Sequence, residues 1–347
     1  MEPYGLTTDK GWGCMLRCCQ MLVASSLRSS YMSSHPVLTP PTEFDEWILK
    51  EFADYPGCRF GMHEIMRVGV ELDKFPGEWF GPTTGCRVVE GCLGKVEGEV
   101  YEGGRGIEVV VVDEGTVYVD QIEERMKKEE DEEEKKRAAM PVSGDFDPLH
   151  NPPPPPPSSV SPWPKSLLLL VPLRLGVSSI DPSFRLPLLQ YFTLPQCLGI
   201  LGGTPRHAIY FYGCSEDGKT LYGKDPHFTQ FTPKMVDGVV QITGEYRRSI
   251  RGQSVSCKMS GIDPSLALAF YCEGRDDFER LVEEGFKGGI CRSARERGDG
   301  SNPLFSVMDV RPDFGGDIGN INELLGGFGD DDGAGGESEG EEDYVFL

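Results

Sequence analysis

The chain has 347 residues, 38% of them hydrophobic, and a formal net charge of −22. That length and composition allow one large domain or two smaller ones around a substantial core. The acidity argues against nucleic acid as a partner, because phosphate binding needs a basic face. The longest aliphatic run, residues 167–171, is too short to span a bilayer. The 11 cysteines are odd in number and irregularly spaced, and residues 1–13 hold no apolar signal-peptide core. Reduced thiols in a cytoplasmic protein are therefore expected, not a disulfide framework.

Leu16, Cys19, Leu22, Val23 and Leu27 recur at helical spacing and predict a helix over residues 15–29. Phe44, Trp47, Ile48 and Phe52 repeat the pattern and predict another over 42–52. Shorter helices are expected at 63–72 and 83–93, separated by a turn at 78–82. Residues 107–112 form a β-branched run that reads as a buried strand, and 117–126 have mixed helical character. The composition then breaks. A charge block opens the stretch 127–164 and a polyproline run follows at 152–157. Such sequence buries too little apolar area to offset its ordering entropy, so a disordered, solvated insertion is expected. A strand at 167–173 and a helix at 184–192 resume the fold. Residues 199–203 read as a glycine-rich loop, and 208–213 and 220–224 as two strands joined by Ser215-Glu216-Asp217-Gly218. A strand at 266–272 and a helix at 276–286 come next, the latter opened by acidic residues that suit its dipole. Beyond Arg311 the chain is rich in Gly and Asp and reads as a flexible acidic tail. The expected organisation is thus 1–126, an insertion at 127–164, 165–311, and a tail at 312–347.

The chemistry-bearing candidate is Cys14, in Gly11-Trp12-Gly13-Cys14-Met15-Leu16-Arg17-Cys18, where a loop becomes a helix. Unpaired backbone N–H groups at a helix start carry partial positive charge and favour a thiolate. A nucleophilic thiol needs a base, and five histidines are available: His35, His63, His150, His207 and His227. His150 lies in the insertion. His35 sits in a Ser/Pro-rich loop and His63 on a helix, neither beside an obvious orienting acid. His207 follows the Gly-Gly-Thr-Pro turn. His227 stands two residues after Asp225 in Asp225-Pro226-His227, so an extended Asp-Pro-His would send both side chains from one face. An acid beside an imidazole fixes its tautomer and stabilises the imidazolium. The plainer alternatives are a buried helix thiol at Cys14 and a polar strand-end turn at Asp225-Pro226-His227.

These segments together resemble the autophagins, the autophagy-related cysteine proteases. The nucleophile segment with Gln20-Met21 looks like the family's first block, and Gly77-Glu78-Trp79-Phe80-Gly81-Pro82 like its second. Pro172-Leu173-Arg174-Leu175-Gly176 and Leu194-Pro195-Gln196-Cys197-Leu198-Gly199-Ile200-Leu201-Gly202-Gly203 resemble two more. Residues 222–230 resemble the block that holds the acid and base, and Asp263-Pro264-Ser265 with 266–272 and Asp276-Asp277-Phe278 continues the order.

The resemblance implies an α+β, papain-like cysteine protease core with a small additional subdomain, and with both its parts, 1–126 and 165–311, in the catalytic domain. Cys14 would be the nucleophile, His227 the base and Asp225 its orienter. Trp79 would wall a groove admitting a C-terminal glycine, and Gly202, Gly203 and Pro205 would belong to a mobile loop covering it. The plainer readings of these residues are core packing and an ordinary turn. The implied partner is a ubiquitin-like autophagy modifier, as a precursor and in its lipidated form, with transient contact to the autophagic membrane through the lipidated substrate. No cofactor and no metal are implied; no CxxC pair is present for zinc. The family also places an oxyanion-stabilising tyrosine well upstream of the nucleophile, and Tyr4 does not sit in a matching segment. The expectation is an N-terminally truncated chain with chemistry weakened by a factor of about 100 to 1,000. A modifier-binding pseudoenzyme and a deubiquitinase-like thiol protease are the alternatives. Cys18 and Cys19 read as core packing or as redox partners of Cys14. In the tail, Tyr344 and Leu347 after an acidic run resemble the short motif that binds the same modifiers, adding an edge strand while filling two pockets.

Overall fold

Five consecutive aliphatic residues at 167–171 are fully buried in the computed structural model, and their alternation joins two cores. Leu168 and Leu170 point into one core, while Leu167, Leu169 and Val171 point into another on the opposite sheet face. A strand covered on both faces needs apolar side chains at every position, which is why the run is unbroken. The structure describes residues 5–34, 42–96, 101, 105–112, 114–139, 163–250, 254–292 and 294–312. The chain divides into a unit Met1–Val310 and a short unit Arg311–Leu347, of which residues 311 and 312 are described.

Four helices come first: α1 (Cys14–Ser34), α2 (Thr42–Glu51), α3 (Met62–Glu71) and α4 (Pro82–Gly94). Strands β1 (Ile107–Val111) and β2 (Thr116–Tyr118) lead into α5 (Val119–Ala139). Next come β3 (Ser166–Arg174), α6 (Arg185–Tyr191), β4 (Cys197–Thr204), β5 (His207–Cys214) and β6 (Thr220–Lys224). The hairpin β7 (Lys234–Val236) and β8 (Val239–Gln241), the short α7 (Gly244–Ile250) and β9 (Ser254–Lys258) follow. Strand β10 (Ser265–Cys272) and helix α8 (Arg275–Arg280) precede a wider-wound turn over Leu281–Ile290, and β11 (Ser306–Met308) closes the described fold. The main sheet runs β1-β3-β10-β4-β5-β6-β9. Only its β1–β3 pair is parallel; the others are antiparallel. Helices and a mostly antiparallel sheet make an α+β fold.

On one face α1 and α4 lie against the sheet. Leu16, Leu22, Val23 and Val89 bury against Leu168, Leu170, Leu201, Ala208 and Tyr210. Each fully buried aliphatic side chain of this kind contributes about 1.5–3 kcal/mol. On the other face Phe270, Phe286 and Phe305 pack edge to face, with Phe270–Phe286 centroids 5.1 Å apart. The β4–β10 ladder shifts register between Ala269 and Phe270. The buried Tyr191 hydroxyl fills that irregularity, 2.6 Å from the Gly199 carbonyl and 2.8 Å from that of Ala269. A bulge that would otherwise strand backbone groups is thereby satisfied.

Two expectations are corrected here. The charge block at 127–137 is not all solvated coil: α5 runs through it to Ala139. Glu and Lys are strong helix formers, Met126 anchors the helix in the core, and Arg125 bonds Glu108 of β1 at 2.6 Å. Buried structure resumes at Trp163, whose ring lies 5.5 Å from Phe278. The rest of the expected insertion, 140–162, lies outside the described residues, as do Tyr344 and Leu347. Second, residues 199–203 are not a loop. They belong to β4, paired with β10 on one side and β5 on the other. Gly203 has a φ of +151°, and a Cβ there would stand 2.0 Å from the His207 carbonyl oxygen. The glycines of β4 thus admit the neighbouring backbone within a sheet. Elements β7, β8, α7 and β9 lie between β6 and β10, in a stretch where no element is expected because the sequence offers little periodicity.

Candidate active site

Cys14 is the first residue of α1, so its N–H has no intrahelical acceptor and faces outward with the helix dipole. No acidic residue in the first turn offsets that dipole. The preceding loop is tied down by Asp9, whose carbonyl accepts the Gly13 N–H at 2.8 Å. A Cβ on Gly13 would come within 2.6 Å of the Asp9 Cβ, while Gly11 adopts a φ of +91°. One glycine therefore answers to space and the other to backbone conformation. The Asp9 carboxylate also accepts from Arg17 Nε at 2.7 Å. Arg17 continues to Asp54 with two parallel bonds, 3.0 and 2.6 Å. Asp54 in turn accepts the Met62 N–H at the start of α3. The thiol thus sits on a helix end clamped to two other segments.

Helix α1 packs on β4 and β5. Strand β5 pairs with β6, and Asp225 follows β6 directly. Of the two conformations open to it, the Asp-Pro-His segment takes the turn and not the extended one. The turn brings His227 back onto the acid: its backbone N–H donates to Asp225 Oδ1 at 2.9 Å and its ring Nδ1 lies 2.6 Å from the same oxygen. An Asx turn of this kind holds the imidazole as closely as an extended strand would. Burial pushes the Asp225 carboxyl up, but the bonds from the His227 backbone and ring and from His207 outweigh it and hold the acid below its usual range. An ionised carboxylate only accepts, so the proton of neutral His227 sits on Nδ1 and its Nε2 is the acceptor nitrogen.

Cys18, one turn after Cys14, is wholly buried. Burial drives its thiol far up, and charge at both Cys14 and Asp225 adds to the effect. Cys19 is also buried, with its sulfur 3.5 Å from the Gly85 carbonyl. All eleven cysteines are free thiols.

The residue that sequence reasoning passed over is His207. Its Nε2 lies 3.1 Å from Asp225 Oδ2, and its ring stacks on His227 with centroids 3.7 Å apart and planes 14° from parallel. The β5–β6 hairpin brings it there. Tyr210 pairs with Lys224, and continuing that register by three residues brings His207 alongside His227. Of the other histidines, His63 lies on α3, whereas His35 and His150 are outside the described residues. Trp79 stands 47% exposed between α3 and α4, not in the core. Gly202 and Gly203 lie within β4, and Pro205 with Arg206 makes the two-residue turn into β5, Arg206 taking a φ of +64°.

Residues 1–284 match the model of the peptidase C54 catalytic domain. The chain belongs to the peptidase C54 family, the autophagins. It is a cysteine peptidase. Cysteine protease ATG4B of Xenopus laevis is 33% identical over 315 residues, covering 89% of this chain and 74% of the relative. Cysteine protease ATG4A of Xenopus laevis is 34% identical over 284 residues, 80% of this chain and 67% of the relative. Cysteine protease ATG4B of Oryza sativa subsp. japonica is 32% identical over 357 residues, 98% of this chain and 67% of the relative. This autophagin thus spans about two thirds to three quarters of the length of these relatives.

Proposed function

We propose that this autophagin has a papain-like core and cleaves after the C-terminal glycine of a ubiquitin-like autophagy modifier, both in the precursor and in the conjugate with phosphatidylethanolamine. The observation that carries the reading is the 2.6 Å bond between Asp225 Oδ1 and His227 Nδ1, just after β6 of the sheet against whose β4 and β5 the Cys14 helix packs. A thiol at the start of a helix and an imidazole just after a strand of the sheet that the helix covers are the elements a papain-like peptidase uses. The catalytic domain is assigned to 1–126 and 165–311, with α5 extending the first part to residue 139.

Cys14 gives its proton to His227 Nε2 and attacks the glycine carbonyl carbon. The oxyanion is stabilised by N–H groups at the start of α1, that of Cys14 among them. Collapse of the tetrahedral intermediate breaks the C–N bond while His227 protonates the leaving amine, which leaves a thioester on Cys14. His227 then takes a proton from water, the hydroxide adds to the thioester, and the glycine carboxylate departs as the thiolate re-forms. The acyl side is the same whether the amine belongs to the next residue or to the lipid, so one site serves both reactions. Trp79 is assigned to the wall of the glycine-admitting groove and Pro205, in the β4–β5 turn, to the segment that covers it. Exposed Phe228 and Phe231, beside His227 in the chain, provide apolar area for a folded substrate. Tyr344 and Leu347 are assigned to a second contact with the modifier.

Among the described residues no helix is long and apolar enough to cross a membrane. We assign the chain to the cytoplasm, with membrane contact made through the lipidated substrate. The test is incubation of the chain with modifier precursor, in parallel with Cys14→Ala and with a ubiquitin fusion. The reading expects cleavage of the precursor alone, abolished in Cys14→Ala. Binding without cleavage would establish the pseudoenzyme instead, and cleavage of the ubiquitin fusion the deubiquitinase.

A further inference from the structure

We propose that His207 is a positioning residue for the acid–base pair, holding the second oxygen of Asp225 and stacking on the His227 ring. The inference rests on the reading of Cys14, Asp225 and His227 as the catalytic residues.

A carboxylate held through one oxygen can rotate about its own axis and carry its partner imidazole with it. Asp225 is held through both. Oδ1 takes the backbone and ring N–H groups of His227, at 2.9 and 2.6 Å, and Oδ2 takes His207 Nε2 at 3.1 Å. The Asp225 side chain is only 12% exposed, so little water competes for either oxygen. His207 must donate, because the ionised carboxylate only accepts. The stack, 3.7 Å between centroids and 14° from parallel, then limits rotation of the His227 ring about its bond to the chain. Together the two contacts fix the direction in which His227 Nε2 points, which is the quantity a proton transfer to and from sulfur depends on.

The same three side chains offer donor atoms within 4.8 Å of one another, as a cation site would. The stack argues against that use. Lone pairs of imidazole nitrogens lie in the ring planes, and two nearly parallel planes 3.7 Å apart do not direct them at one ion. The geometry is that of two donors on one carboxylate. His207 is placed for the role by the two-residue turn Pro205-Arg206, which starts β5 at His207 itself.

The test uses the full chain, modifier precursor with a C-terminal reporter, and four variants. His207→Ala removes both contacts, His207→Phe keeps a stacking ring without a donor, and His207→Gln keeps a side-chain N–H donor near the position of Nε2. Cys14→Ala is the fourth. The expected result is a kcat lower by roughly tenfold in His207→Phe and by more in His207→Ala, with KM unchanged, and recovery to within about threefold of the parent in His207→Gln. If His207→Ala does not fold, the contrast between Phe and Gln carries the same test. The proposal fails if kcat stays within about twofold of the parent, if only KM changes, or if Gln is as impaired as Phe. Residual cleavage in Cys14→Ala would instead overturn the assignment of the nucleophile.

Discussion

Arg17 and Asp54 form a two-bonded ion pair, Nη1 to Oδ1 at 3.0 Å and Nη2 to Oδ2 at 2.6 Å, that joins the helix bearing Cys14 to the segment after α2. Arg17 also bonds Asp9 and the side-chain carbonyl of Gln20. One guanidinium thus connects the loop before the thiol, the helix and the approach to α3. A planar fork suits this task and an ammonium does not. Arg17→Lys is expected to lose the paired geometry and Arg17→Met to leave two carboxylates facing each other without a cation. Urea unfolding should show Arg17→Met less stable by about 1–3 kcal/mol, with Arg17→Lys intermediate. Equal stability of all three chains would contradict the clamp.

The thiols of α1 divide by burial. Cys14 is partly exposed at the helix start, whereas Cys18 and Cys19 are buried and their thiols pushed far up by desolvation. Reaction with iodoacetamide requires thiolate and access together. In the native chain Cys14 is expected to be carboxamidomethylated while Cys18 and Cys19 stay unmodified until urea unfolds the protein. Mass spectrometry of the peptide holding all three resolves the sites. Early labelling of Cys18 would return the redox-partner reading to favour.

Asp225 carries a signature in pH as well as in rate. Its folded carboxyl lies below the usual range although burial pushes it the other way. A depressed acid adds stability that is fully present above its unfolded value, near 4, and is lost as pH falls through the lower folded value. The stability gap between the parent and Asp225→Asn should therefore be widest at neutral pH and close below about pH 4. The same variant should lower kcat by up to about 10⁴-fold, as loss of the orienting acid does in a catalytic triad. Urea midpoints across a pH series and steady-state kinetics at neutral pH measure both.

Gly203 tests the strand that replaces the expected loop. A Cβ there would meet the His207 carbonyl oxygen at 2.0 Å and the Ala208 Cα at 2.8 Å, and its φ is +151°. Neither backbone group can swing aside as a side chain end would. Gly203→Ala should cost at least about 2 kcal/mol and displace His207 with it. Gly94→Ala, at the end of α4 where a Cβ meets nothing within 4 Å, should be neutral or slightly stabilising. Thermal unfolding of the two variants gives the contrast.

Much of this was legible along the chain. The helical stripe of Leu16, Cys19, Leu22 and Val23 and the aliphatic run at 167–171 announced α1 and β3, because side-chain periodicity follows directly from helix and strand geometry. The pairing of Asp225 with His227 was visible too, since residues two apart meet through local backbone alone. Its conformation was not: the spacing suits an extended segment as well as a strand-end turn, and the chain closes an Asx turn. The glycines at 199–203 misled for a related reason. Composition reports the freedom of an isolated segment, while β4 is held by ladders on both sides, and those partners override local preference.

What the sequence by itself determined, then, is a thiol at the mouth of a helix, an acid two residues before an imidazole, and the helices and strands that carry them, all set by interactions within a few residues. What only the tertiary structure decided is which distant groups join that pair. His207 reaches Asp225 through strand register, and Arg17 reaches Asp54 through helix packing. Both depend on how separate elements align. That alignment is fixed by burial of both sheet faces at once, a condition no single stretch of the chain contains.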